Sequence, residues 1–202
     1  MALQRRGNEG HETVRVFFAI ELDEPARESA AEVVRALGET SGGEAVRWVR
    51  PEGLHVTLRF LGEMAVDRIP ELVGCVSREM DSLGSFRVRL GGVRPFPSAR
   101  RPNLIVLDVA PVEPLEELAE AVERGVVAAG FAPEPRRFRA HLTLGRVRSR
   151  RFPSAPSAMT PEPAAWNVSE AVLFRSELRR SGARYTPLER IPLVTPSVSI
   201  TP

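Results

Sequence analysis

"GLHVTLRFLG", residues 53–62, sets a histidine and a threonine two positions apart inside an apolar run. Side chains at i and i+2 of a strand share a face. His55 and Thr57 therefore look one way, while Val56 and Leu58 enter a core. "RAHLTLGRV", residues 139–147, repeats the frame: His141 and Thr143 share one face, Leu142 and Leu144 the other. The chain has three histidines, and two of them occupy this frame. Composition alone would place one such quartet in about 0.02 of chains this long, so two copies are a pattern rather than an accident. By strict alternation Phe60 turns with Leu58 into the core.

Outward from these two strands the chain alternates between strand and helix periodicities. "VRVFFAIEL" (14–22) predicts a buried strand, after which Asp23 can cap a helix with Ala26, Ala30, Val33, Val34 and Leu37 inward. Strands are expected at 45–50 and 54–62, joined by "PEG", and a helix over 66–83 with Pro70 in its first turn. Next come strands at 85–93 and 103–110 separated by the loop "PFPSARRP", and a helix over 112–129 stopped at Gly130. The second motif strand covers 138–147, a proline-rich loop 152–166, and strands at 167–178 and 183–193 meet at "RRSG". The plan is α+β and rich in strands. Each half of the chain holds one motif strand, as in a weak duplication, and two lobes would leave a cleft between them. A flexible segment at 1–13, one bilobal domain at 14–194 and a tail at 195–202 are expected.

Composition narrows the function classes. A chain of 202 residues with 43% apolar and 27% charged residues is an ordinary globular protein. It has no apolar run of transmembrane length and no secretory core behind its first arginines. The lone Cys75 permits no internal disulfide, which fits a reducing cytoplasm. The net charge of +2 argues against a broad electrostatic nucleic-acid binder but leaves room for one basic cleft. All 28 basic residues are arginine, each able to fork onto a phosphate.

Two imidazoles converging on one spot can divide the labour of phosphodiester cleavage. A neutral one takes a proton from the nucleophile and a charged one gives a proton to the leaving group. Thr57 and Thr143 can donate to the non-bridging oxygens, and Arg146 can add positive charge where negative charge grows. No metal is needed, and neither motif has carboxylate or thiol neighbours at ligand spacing. There is no G-x-S-x-G elbow and no glycine-rich phosphate loop. His11, in the N-terminal segment, is read as a solvated bystander.

At these residues the chain resembles the two-histidine (2H) phosphoesterase superfamily with its paired HxTx motifs, and most of all its bacterial and archaeal RNA 2′,3′-cyclic phosphodiesterases, once named 2′-5′ RNA ligases. "RVFFAIEL", "VRWVRPEGLHVTLRFLGE", "FPSARRPNLIVLDV", "RFRAHLTLGRV" and "SELRRSGARYTPLERIPL" carry the resemblance along nearly the whole ordered chain. Ala140 departs from it, since proline often precedes the second motif. The resemblance implies two antiparallel sheets with outer helices around a central cleft. It implies hydrolysis of a 2′,3′-cyclic phosphate at an RNA end to a 2′-phosphate, with no cofactor, by a monomer. It implies His55 as proton donor, His141 as proton acceptor, Thr57, Thr143 and Arg146 on the phosphate, and Phe60 under a base. That role for Phe60 requires the strand to twist or bulge. Two other expectations stay open: 2′–5′ linked oligonucleotides or ADP-ribose cyclic phosphate as substrates, and an RNA-end binding module without catalysis.

Overall fold

The first strand, β1 (Thr13–Glu21), is buried on both faces from Val16 to Ile20, with Val16, Phe18 and Ile20 in the main core and Phe17 and Ala19 in a smaller cluster with Val172 and Phe174. The computed structural model describes residues 12–148, 164–179 and 182–195. The elements after β1 are α1 (Glu24–Gly38), β2 (Val46–Trp48), β3 (His55–Ala65), α2 (Ile69–Met80), β4 (Phe86–Phe96), β5 (Leu104–Ala110), α3 (Glu113–Ala128), β6 (His141–Val147), β7 (Ala165–Val168), β8 (Glu170–Arg179) and β9 (Gly182–Pro192). They build a four-stranded sheet in the order β3-β1-β8-β9 and a five-stranded sheet in the order β2-β6-β5-β4-β7. Neighbouring strands pair antiparallel throughout. This is the α+β, two-sheet architecture expected, with one motif strand in each sheet.

Local signals set the helix ends. Asp23 accepts the Ala26 N–H at 3.0 Å as the N-cap of α1, whose inward face holds Ala26, Ala30, Val33 and Leu37. Pro70 lies in the first turn of α2, which begins at Ile69 because 66–68 form a separate 3₁₀ turn. β4 runs past its expected end, since Pro95 and Phe96 still pair with Ile105 and Leu104. The strand expected over 167–178 is two strands broken at Ser169. β7 pairs with β4 in one sheet, and β8 pairs with β1 and β9 in the other. The proline-rich stretch 152–166 lies outside the described residues as far as 163, and Ala165 and Trp166 belong to β7. His11, the rest of the N-terminal segment before Glu12, and residues 196–202 also lie outside them.

The two lobes are not the two halves of the chain. α1 and β2, from the first half, pack into the five-stranded sheet, and α3, from the second half, packs beside β3 and α2. The β8–β9 hairpin closes the sheet that β1 opened. Long-range pairing decides this exchange, and local periodicity cannot report it. One apolar core cluster spans both lobes, from Val16 and Leu72 to Leu107 and Leu142. Among the described residues no helix is long and apolar enough to cross a membrane.

Candidate active site

The pairing of β3 with β1 explains which way the first motif faces. His55 lies opposite Glu21 and Thr57 opposite Ala19, but Arg59 lies opposite Phe18. β3 thus advances two residues where β1 advances one, and Leu58 is the extra residue of a β-bulge. The bulge resets the alternation. Phe60, opposite Phe17, lands on the face of His55 and Thr57 and is 41% exposed. Burial of Phe60 with Leu58, expected from strict alternation, is therefore corrected: Leu58 is buried and Phe60 is not. A second register shift follows before Gly62, whose φ of +81° suits glycine.

β6 repeats the device. His141 lies opposite Asp108 and Thr143 opposite Val106, but Gly145 lies opposite Ile105, so Leu144 is the extra residue. Arg146, five positions after His141 as Phe60 is five after His55, is thereby turned onto the motif face. Without the bulge both would point away. Gly145 is required by close approach: a Cβ there would lie 2.4 Å from Val46 Cγ1 and 2.9 Å from Trp48 Cε3 of the neighbouring β2.

The two imidazoles are held alike. His55 Nδ1 is 2.8 Å from the Gly53 carbonyl and His141 Nδ1 is 2.6 Å from the Arg139 carbonyl, each two residues back. A carbonyl only accepts, so each Nδ1 carries the hydrogen and each Nε2 is left to react. Around His55 stand Phe17 at 4.8 Å between ring centroids, Tyr185 at 5.0 Å edge-on and Phe174 at 6.4 Å. Burial among these rings pushes the His55 pKa down to about 4; the Gly53 carbonyl opposes the shift and the nearby Arg146 adds to it. Arg146, on the second motif strand, thus acts on the histidine of the first. His141 stacks on Phe96 at 4.8 Å and 21°. Its pKa is lowered by burial and then by Arg94 and Arg139, against the Arg139 carbonyl and Asp108.

Of the sequence-predicted residues, His55, Thr57 and Phe60 share one face of β3, His141, Thr143 and Arg146 share one face of β6, and Arg146 is near enough to His55 to act on its charge. Thr57 and Thr143 are half-buried beside their histidines. Several neighbours were missed. Phe17, Phe174 and Tyr185 come from β1, β8 and β9, and Phe17 stacks on Phe60 at 6.1 Å. Phe96 carries the Arg139 guanidinium at 4.5 Å, and Arg15 covers Phe60 at 4.9 Å. Arg94 pairs with Asp108 at 2.5 Å beside His141. The single tyrosine in a closing hairpin and the arginine two positions before His141 were the available signals. Surface hollows of about 240 and 260 Å³ lie elsewhere, behind β3 and at the far end of β1 and β8. Among the described residues no three His, Cys, Asp or Glu side chains cluster as metal ligands.

Two imidazoles with reactive Nε2 atoms, hydroxyls and a guanidinium that reaches the histidine of the other strand are the groups that in-line displacement at phosphorus requires. Known proteins resemble this chain along most of its length. A family model described as the 2′-5′ RNA ligase superfamily matches residues 22–180. An RNA 2′,3′-cyclic phosphodiesterase of Methanothermobacter thermautotrophicus is 31% identical over 87% of this chain and 97% of its own length. Another, from Thermus thermophilus, is 31% identical over 89% of this chain and 90% of its own. Among solved structures, a protein of Thermus thermophilus superposes with a TM-score of 0.74 at 29% identity, covering 89% of this chain and 97% of that one. Escherichia coli LigT complexed with 3′-AMP gives 0.72 at 28%, covering 90% and 99%.

Proposed function

Because this chain belongs to the 2′-5′ RNA ligase superfamily, we propose that it hydrolyses 2′,3′-cyclic phosphate ends of RNA to 2′-phosphates, as a monomer and without metal or cofactor. The observation that carries this proposal is the pair of identically anchored imidazoles, each with Nδ1 donating to the backbone carbonyl two residues back, which makes Nε2 the basic nitrogen. Thr57, Thr143 and Arg146 bind the non-bridging oxygens, and the terminal base rests on Phe60. His141 Nε2 takes a proton from water as the water oxygen bonds to phosphorus. The P–O3′ bond breaks and His55 Nε2 gives its proton to O3′, leaving the phosphate on O2′. Solvent then returns a proton to His55 and removes one from His141.

The test is direct. The protein is incubated in EDTA with a short RNA ending in a 2′,3′-cyclic phosphate, and the product is compared with 2′- and 3′-phosphate standards. A 2′-phosphate is expected. A 3′-phosphate would keep the two-histidine chemistry but reverse the substrate's orientation in the cleft, and no product in EDTA with recovery by added zinc would overturn the metal-free mechanism. Tight binding without turnover would favour the binding module.

A further inference from the structure

The bulge that turns Phe60 inward turns Arg59 outward, beside Leu58, where its side chain is only 11% exposed. Its guanidinium is almost fully engaged. Nε donates to Glu123 of α3 at 2.6 Å, and Nη1 donates to Glu134 at 3.0 Å and to the Phe60 carbonyl at 2.8 Å. Nη2 donates to the Ala132 carbonyl at 2.7 Å. The other Glu123 oxygen accepts the Glu134 N–H at 2.7 Å, closing the network. One cation therefore joins three pieces: the bulge of the first motif, the helix behind it, and the segment 131–140 that enters the second motif. That segment has no helix or strand of its own. Near its end lies Arg139, whose carbonyl holds His141 Nδ1 and whose guanidinium covers Phe96.

We infer that Arg59 is a positioning residue that couples the two motifs, fixing the Phe60 shelf through the bulge and His141 through the 131–140 segment. It touches no substrate; the inference rests on the proposed reaction only for its kinetic readout. A planar fork is needed, because the four acceptors lie on two backbone carbonyls and two carboxylates in different elements. Lysine carries the same charge as a point and cannot span them. Its removal would leave Glu123 and Glu134 crowded together without their shared cation.

The test compares wild type with Arg59→Lys and Glu134→Gln, the latter at an exposed loop carboxylate, where it removes the charge from one arm and leaves the core untouched. Circular dichroism establishes that each is folded. A 1 Å displacement of catalytic groups can reduce rate by about 10²-fold. Arg59→Lys is therefore expected to lower kcat/KM at least ~10-fold, with KM raised and kcat lowered together, and Glu134→Gln to act the same way more weakly. Combined with Phe60→Ala, the KM effect of Arg59→Lys should be less than multiplicative, since both act on one shelf. Independently of turnover, the His141 imidazole resonances, titrated in the ligand-free protein, should shift their midpoint in Arg59→Lys. Folded variants with wild-type KM, kcat and His141 titration would overturn the inference, as would losses that track only the unfolded fraction. An inactive wild type would sink the proposed reaction, while the His141 titration would still decide the coupling.

Discussion

Substrate binding should convert His55 from a neutral imidazole into an acid. In the ligand-free protein its pKa is about 4, so at pH 7 it carries no proton to give. A phosphate monoanion about 4 Å from the ring interacts with the imidazolium by roughly 4 kcal/mol at an effective dielectric constant of about 20. That equals roughly 3 pK units, which lifts His55 to about 7 in the complex. The kcat profile reports groups in the complex, so its alkaline limb should fall near pH 7, where bound His55 loses its proton. The acid limb of kcat/KM, which reports the free enzyme, should lie below the ordinary histidine value, because burial and Arg94 and Arg139 oppose charging of His141. The assay pairs kcat against pH with an imidazole NMR titration of the free protein, His55 being assigned by the signal missing in His55→Asn. A gap of about three pH units between the free His55 midpoint and the alkaline limb is expected. A gap under one unit, or a His55 already charged at pH 6 without ligand, would refute the reasoning.

Three further outcomes follow from the same geometry. His55→Asn and His141→Asn should each lower kcat by about 10²–10⁴-fold while urea denaturation at pH 7 still shows a cooperative transition; a variant that fails to fold would make the histidine a core residue instead. Because the folded pKa of His55 is depressed, its neutral form stabilises the fold above the unfolded value of 6.5, and stability is lost as pH falls from about 6.5 to about 4; His55→Asn should remove up to about 3 kcal/mol of that loss, measured by urea midpoints at pH 7 and 4.5, and equal acid sensitivity in both proteins would contradict it. Gly145→Ala forces a Cβ toward Val46 and Trp48, so it should destabilise by about 1–3 kcal/mol and raise KM through Arg146; an unchanged thermal midpoint would show that β2 yields freely.

Much of the site was legible because strand periodicity is local. His55 with Thr57, and His141 with Thr143, share faces as period two requires. The cores behind them hold Val56, Leu58, Leu142 and Leu144, all buried. Phe60 was not legible from periodicity, since a bulge depends on the partner strand's register and β1 sets that register from some forty residues away. Phe17, Tyr185 and Phe96 were hidden for the same reason: each reaches a histidine through sheet pairing or a turn of the chain, with no spacing to announce it. The crossing of α1 and β2 into the second sheet is also decided by long-range packing, so equal chain halves suggested equal lobes where the lobes are interleaved.

What repeats in this protein is finer than a lobe. Each motif has a histidine tied to the carbonyl two residues back, an extra leucine three residues on that bulges the strand, and a working side chain at the fifth position: Phe60 in one, Arg146 in the other. Each histidine lies 4.8 Å from one phenylalanine ring. The surroundings then break the symmetry in a direction that fits the proposed roles. His55 sits among Phe17, Phe174 and Tyr185 with Arg146 as the nearby charge, so only an arriving anion makes its charged form favourable. A donor that charges only with substrate bound leaves the empty site uncharged at that position. His141 faces Asp108, whose side chain is 47% exposed and which offsets part of the opposition from Arg94 and Arg139. An acceptor so placed can take a proton from water and pass it to solvent without first being freed from an apolar cage. The same backbone device, set in an aromatic wall on one side and among charged groups on the other, is the asymmetry on which the proposed division into acid and base rests.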